Sequence, residues 1–335
     1  MTRIILFFLG VAGLIVLALA FGAGQVREAL TVITAQSVLI LFSLQLATLL
    51  AGAWIWHFLL SRNSRISFGT VFLINQAAAL VESLTPSVKL GGEAAKIYLL
   101  RKKTCQPLEG LAGVMLVHKF LTMSPFALLC LLLLAPGLFY FDLPWVFYVS
   151  LAGLVLICLV LGLICYRLPS SSSPKTIKPA RAELSRLKKF FSKAGLFLAQ
   201  ARISASGLLD FRQTMGVFTV SLAIWILYPV KVYLACSFLG MDVHPVVIGL
   251  ATVFAYMISM IPIFPGGLGS YEGGMTLLFT LGGLSPAEGL AIALVSRLTT
   301  FWFPLLLSAG SCLVLLREDS LALHRSEPDQ STIQA

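Results

Sequence analysis

Residues 261–272 read I-P-I-F-P-G-G-L-G-S-Y-E, and the reading of this segment decides the architecture. It joins two strongly apolar runs, 251–260 and 275–281, through two prolines, three glycines, a serine and a glutamate. Proline removes a backbone donor and glycine frees the backbone, so a helix entering the segment is expected to break. Within a bilayer, broken backbone survives only where protein or a polar cavity surrounds it. Glu272, at the far end, is costly at that depth and is therefore a candidate functional group.

The rest of the chain supplies the bilayer setting. Of 335 residues, 58% are hydrophobic and 11% charged, with a mean hydropathy of +0.94; soluble domains carry about 25% charged residues. Apolar stretches fit spans near 4–23, 32–60, 108–134, 145–166, 215–239 and 287–316. The expected class is an all-α polytopic membrane protein, with about six full spans plus two Gly/Pro-broken hairpins. The net charge of +10 sits in short loops. It reads as a topology determinant and a contact to anionic headgroups, not as a nucleic-acid surface. The six cysteines have no disulfide or metal-ligand spacing. The first 21 residues imitate a secretory signal, so the first span is either cleaved or retained with its N-terminus inside.

After span two, an aromatic girdle (Trp54, Trp56, His57) and Arg62 and Arg65 mark a cytoplasmic interface. The next apolar leg, 66–84, breaks at Thr85-Pro86 and continues as S-V-K-L-G-G-E-A-A-K-I-Y-L-L (87–100) to Arg101-Lys102-Lys103. About 14 residues rise only about 21 Å as a helix, too little to span. With basic residues at both ends, the chain enters and leaves on one side, as a re-entrant hairpin or as two short helices. Residues 167–212 form the basic loop, with ten Lys/Arg against two acidic residues. Within it, 181–201 has amphipathic helical spacing and lies either on the inner leaflet or in solvent. The membrane domain is expected over 1–317, with a disordered cytoplasmic tail at 318–335.

A shift of 179 residues overlays the two breaks. Pro86 falls on Pro265, Glu93 on Glu272, and P-L-E-G-L-A at 107–112 on P-A-E-G-L-A at 286–291. Eight of the 27 positions from Pro86 to Ala112 are identical to their counterparts. The repeat unit is span, hairpin, span, at about 29–135 and 208–316. The first hairpin is entered from the cytoplasm and the second from outside, so the units are inverted. Paired broken segments of this kind point to a midplane binding site in alternating-access transporters.

Glu93 and Glu272 each open a return leg, where they either cap a helix or form symmetry-related carboxylates on a shared cavity. Lys119, beside His118, and Arg297 are their expected partners, because an unpaired charge in a bilayer is costly. Lys231, beside Pro229 in mid-span, is expected to face a cavity. With Lys89 and Lys96 added, five basic residues against Glu82, Glu93 and Glu272 leave +2, which suits an anionic headgroup such as a lipid phosphate. Gly91, Gly92, Gly266, Gly267 and Gly269 either present N–H groups to phosphate or serve close helix packing. Pro86, Pro262 and Pro265 make the helix breaks. No nucleophile, catalytic cluster or metal set accompanies the carboxylates, so transport is expected rather than catalysis, and neither a cofactor nor a metal.

These motifs together resemble the lysylphosphatidylglycerol synthase transmembrane family, also called flippase-like integral membrane proteins. The likeness rests on K-L-G-G-E-A-A-K-I-Y-L-L at 89–100, the basic position near Lys119, P-G-G-L-G-S-Y-E at 265–272, and Arg297. It covers nearly the whole chain. Such a likeness implies a multi-pass protein of the bacterial inner membrane, with both termini cytoplasmic, that moves or modifies envelope lipids. In bifunctional members the membrane domain transfers aminoacylated phospholipid to the outer leaflet, and a soluble C-terminal domain makes that lipid. This sequence stops at 335 and shows no such domain, so lipid translocation is the leading expectation. The alternatives are a membrane-embedded transferase acting on a lipid or polyprenyl-linked sugar, and a non-catalytic subunit docking a soluble synthase or another envelope-biogenesis partner.

Overall fold

A computed structural model describes residues 31–84, 90–140, 143, 145–166, 208–261 and 265–326. The first expected span, the break at 85–89 with Pro86 and Lys89, Pro262, nearly all of the basic loop and 327–335 lie outside the described residues. The chain is an all-α polytopic membrane protein. Its helices are α1 (Ala35–Leu60), α2 (Phe68–Leu84), α3 (Leu90–Thr104), α4 (Leu108–Tyr140), α5 (Trp145–Tyr166), α6 (Phe211–Phe238), α7 (Pro245–Ser259), α8 (Ser270–Leu281), α9 (Pro286–Arg297) and α10 (Phe303–Ser326). A π-helical turn, Leu298–Trp302, joins α9 to α10. Helices α1, α4, α5, α6 and the run of α9 with α10 are long and apolar enough to cross a membrane.

Their faces are inverted relative to a soluble bundle. Helix α1 buries Gln45 and Thr48 while exposing Leu39, Leu46 and Leu50, and α5 exposes Val149, Leu156, Leu159 and Leu163. An outer surface so apolar matches lipid, and the interior polar groups mark the protein's inner spaces. Trp54 and Trp56 do not share the expected aromatic girdle. Trp54 is 40% exposed but Trp56 only 2%, because residues two apart on a helix point nearly opposite ways.

Local sequence sets the helix ends. Thr34 caps α1 through Ser37 N–H, and Asp210 caps α6 through a reciprocal pair with Gln213. The repeated P-x-E motif proves to be a helix start. In the second copy Pro286 opens α9, Ser285 accepts from Glu288 N–H, and the Glu288 carboxylate accepts from Ser285 N–H at 2.8 Å. Within α4, Pro125 leaves a gap in the backbone ladder. The carbonyl left without its helical donor is that of Leu121, and one residue on, Trp225 Nε1 donates to the Thr122 carbonyl at 2.7 Å. Helix α10 runs to Ser326, past Glu318 where a disordered tail was expected. Residues 318–326 hold no proline or glycine, and the next breaker is Pro328.

The second break forms as the sequence predicts. Helix α7 ends at Ser259 and α8 starts at Ser270, with a 3-10 turn at Pro265–Gly267 between them. Gly266 and Gly267 have φ of 62° and 65°, and Gly269 has 83°, all in the left-handed region. The legs are antiparallel: Gly274 lies against Ala255 and Ile258, and Gly282 against Val247. In the first hairpin, Gly92 of α3 lies so close to Ala78 and Glu82 of α2 that an added Cβ would sit 2.9 Å from the Ala78 carbonyl. Each hairpin's first leg also packs on a long helix of the other half, α2 on α10 and α7 on α4. Helix α2 touches the Pro265–Gly267 turn as well, which brings the two hairpins together.

Candidate functional site

Helix α8 begins just after the glycine turn, which places Glu272 in its first turn facing α9. The carboxylate is fully buried and both oxygens are engaged. Oε2 accepts from Gly269 N–H at 2.7 Å, and Oε1 accepts from Arg297 Nε at 2.7 Å. Arg297 donates in addition to the Gly266 carbonyl at 2.7 Å and lies between the rings of Tyr271 and Phe301. The capping and ion-pair readings of Glu272 therefore both hold. Arg297 staples the broken backbone, and the π turn that follows it sets Phe301 over Gly266, where a Cβ would come within 2.5 Å of the ring.

Glu93, in the first turn of α3, occupies the matching place. Its Oε1 meets Lys119 Nζ of α4 at 2.8 Å, and Lys96 Nζ stands 3.8 Å from Oε2. This site is looser. Oε2 has no hydrogen-bond partner, and the Lys119 side chain is 25% exposed where that of Arg297 is 7%. His118 does not pair with Glu93; its ring lies on Trp56 at 4.4 Å, and the Trp56 ring also receives Lys96 Nζ at 4.6 Å.

Lys231, in α6, is buried but is not among the wall residues of the cavity described below, which it was expected to face. It donates to Gln45 Oε1 at 2.5 Å and Thr48 Oγ1 at 3.2 Å on α1, and lies 4.0 Å from the centre of the Tyr228 ring. Among the described residues no carboxylate forms an ion pair with it. Gly92, Gly266 and Gly267 serve close packing, and the Gly269 N–H is taken by Glu272.

A cavity of about 250 Å³ opens between α1, α2, α3, α4 and α6. Lys96, His118, Trp56, Gln76, Trp225 and Tyr228 are among its wall residues. Of these the sequence reading placed Lys96 and the His118 neighbourhood at the site and assigned Trp56 to an interfacial girdle. Gln45, Gln76 and Asn75 carried the available signal, being amides in apolar helices. The aromatic wall carried none, because Trp and Tyr are equally at home in cores and at interfaces. The second ion pair lies outside this wall, linked to it by ring contacts running Trp225–Tyr256–Tyr271.

Several proteins of similar sequence carry the description UPF0104 membrane protein. A UPF0104 membrane protein of Methanothermobacter thermautotrophicus is 29% identical over 312 residues, covering 89% of this chain and 91% of the relative. Others occur in Pyrococcus horikoshii, 22% identical over 94% of this chain and 97% of the relative, and in Methanocaldococcus jannaschii, 23% identical over 89% and 90%. All three sources are archaeal, so the expectation of a specifically bacterial membrane gains no support from them. The family model for the lysylphosphatidylglycerol synthase TM region matches residues 4–308, and the chain belongs to that family.

Proposed function

We propose that this protein is a lipid translocase of the cytoplasmic membrane, binding a polar headgroup between two inverted hairpins. The carrying observation is that both return legs bury a glutamate paired to a cation on the following helix, the glutamates lying 179 residues apart and the cations 178. Two such pairs around hairpins that touch each other match the broken-helix layout of alternating-access transporters. The looser first pair supplies charge that a passing headgroup can engage, and the second holds its hairpin in shape. In this reading the basic ends of α3 and the 167–212 loop face the cytoplasm, as do both termini.

The test is reconstitution of the full chain into vesicles carrying fluorescent phospholipids, with a membrane-impermeant quencher reporting exchange between leaflets. Wild type should speed exchange of at least one headgroup class, and Glu93→Gln should remove that acceleration. No acceleration for any headgroup class, in either direction and with or without a proton gradient, would overturn the proposal.

A further inference from the structure

The charges around the cavity favour one sign. Its wall contains Lys96 and His118 but no carboxylate among the described residues. Lys231 stands one residue behind, donating to the wall residue Thr48, and no carboxylate among the described residues pairs with it. Glu93 is shared between Lys119 and Lys96. Three lysines against Glu93 and Glu82, whose charge reaches the wall residue Tyr228, leave the region with a net positive charge of one in surroundings that screen charge poorly.

The unmet polar groups of the wall point the same way. Trp56 Nε1, His118 Nδ1 and Ser221 Oγ are buried with no hydrogen-bond partner. An indole N–H only donates, so it calls for an acceptor. The aromatic faces that would cage an ammonium ligand are already in use. Lys96 lies over Trp56, Lys231 over Tyr228, and Phe126 stacks on Trp225 at 4.0 Å. The volume, about 250 Å³, is below the usual range of about 300–1,000 Å³ for whole small-molecule ligands. A space of that size suits a headgroup whose acyl chains stay outside.

We infer that this cavity is an anion pocket for the phosphate and small polar head of an anionic phospholipid, and that it discriminates against headgroups bearing an added cation. Lys96 and Trp56 contact the phosphate oxygens directly, Ser221 donates from α6, and Lys231 adds charge through the wall. The inference rests on the translocase reading for its lipid source and goes beyond it in naming the pocket and the sign of the ligand.

The test is titration of the purified full chain, followed by its tryptophan fluorescence, since Trp56 and Trp225 both line the pocket. The probes are dihexanoyl phosphatidylglycerol, dihexanoyl phosphatidylcholine and inorganic phosphate. Phosphatidylglycerol should bind saturably, and phosphatidylcholine, with the same phosphate plus a fixed cation, about tenfold more weakly. Lys231→Gln should weaken phosphatidylglycerol binding about tenfold. Trp56→Phe keeps an aromatic face and removes the N–H, so it should weaken binding about fivefold; it stands in if Lys231→Gln fails to fold. Equal binding of the two lipids, or unchanged affinity in a folded variant, would overturn the pocket. Phosphate binding as tight as phosphatidylglycerol would assign the site to a free anion and overturn the lipid source. Selective lipid binding without leaflet exchange would keep the pocket and defeat the translocase reading; exchange without headgroup selectivity would do the reverse.

Discussion

The two hairpins carry the same acid–base pairing but use it differently. Around Glu272 both carboxylate oxygens are engaged, one by Arg297 Nε and one by the Gly269 N–H, and Arg297 also holds the Gly266 carbonyl and lies against two rings. Around Glu93 one oxygen lacks a hydrogen bond, Lys119 is partly exposed, and a cavity lies beside Lys96. A saturated network specifies one geometry, whereas an unsaturated one can exchange partners. The same pairing is thus a fully engaged staple in one half and a looser, partly exposed contact beside a cavity in the other.

The largest expected effect tests that contrast directly. Arg297→Ala leaves Glu272 as an uncompensated buried charge, and loss of one partner from such a pair costs about 3–5 kcal/mol. Thermal unfolding in detergent should show it, and Glu272→Gln/Arg297→Gln together should cost less than the two single changes added. Glu93→Gln should cost only about 1 kcal/mol, since its partner is partly solvated, while removing lipid exchange. If Glu93→Gln destabilises as much as Arg297→Ala, the contrast between staple and site is wrong.

The glycines of the second break sharpen the same contrast. Gly267→Ala meets both a left-handed backbone and Ser259, whose Cβ would lie 2.7 Å away. Gly269→Ala meets the backbone strain alone, with nothing within 4 Å of its Cβ. Gly269 combines φ 83° with ψ −43°, and such sparsely populated backbone costs a non-glycine residue about 1–3 kcal/mol, so Gly269→Ala should fall in that range and Gly267→Ala about 1–2 kcal/mol above it. Equal losses at the two positions, read from the same unfolding assay, would mean that the tight turn contributes strain but no packing.

Much of this was legible in the chain. Prolines and glycines clustered in one apolar run point to a break, and a bilayer makes a lone glutamate implausible, so the turn at 265–269 and the partners Lys119 and Arg297 followed from elementary costs. Lys231 was legible for the same reason. Its ligands Gln45 and Thr48, more than 180 residues earlier, were not, because helix pairing across the bundle leaves no local pattern. Nor was the division between the hairpins. Both motifs read P-x6-E, and only the three-dimensional neighbours, Phe301 and Tyr271 in one case and Trp56 and a cavity in the other, separate them.

The smallest effect concerns where the first hairpin returns. Lys103, at the end of α3, meets Glu318 of α10 at 3.2 Å, with side chains 31% and 50% exposed. A pair so open to solvent contributes at most about 1 kcal/mol and fades with salt, so Glu318→Gln should leave the unfolding temperature nearly unchanged. Its value is positional. If α3 returns to the face on which α10 ends, cysteines at 103 and 318 should cross-link under mild oxidation, and both should react with an impermeant maleimide only from the cytoplasmic side. Cross-linking with label entering from the outer side would preserve the packing of α3 on α10 and reverse the orientation of both hairpins. Absence of a cross-link would separate the two helix ends, and with them the argument that the first hairpin enters and leaves at one face.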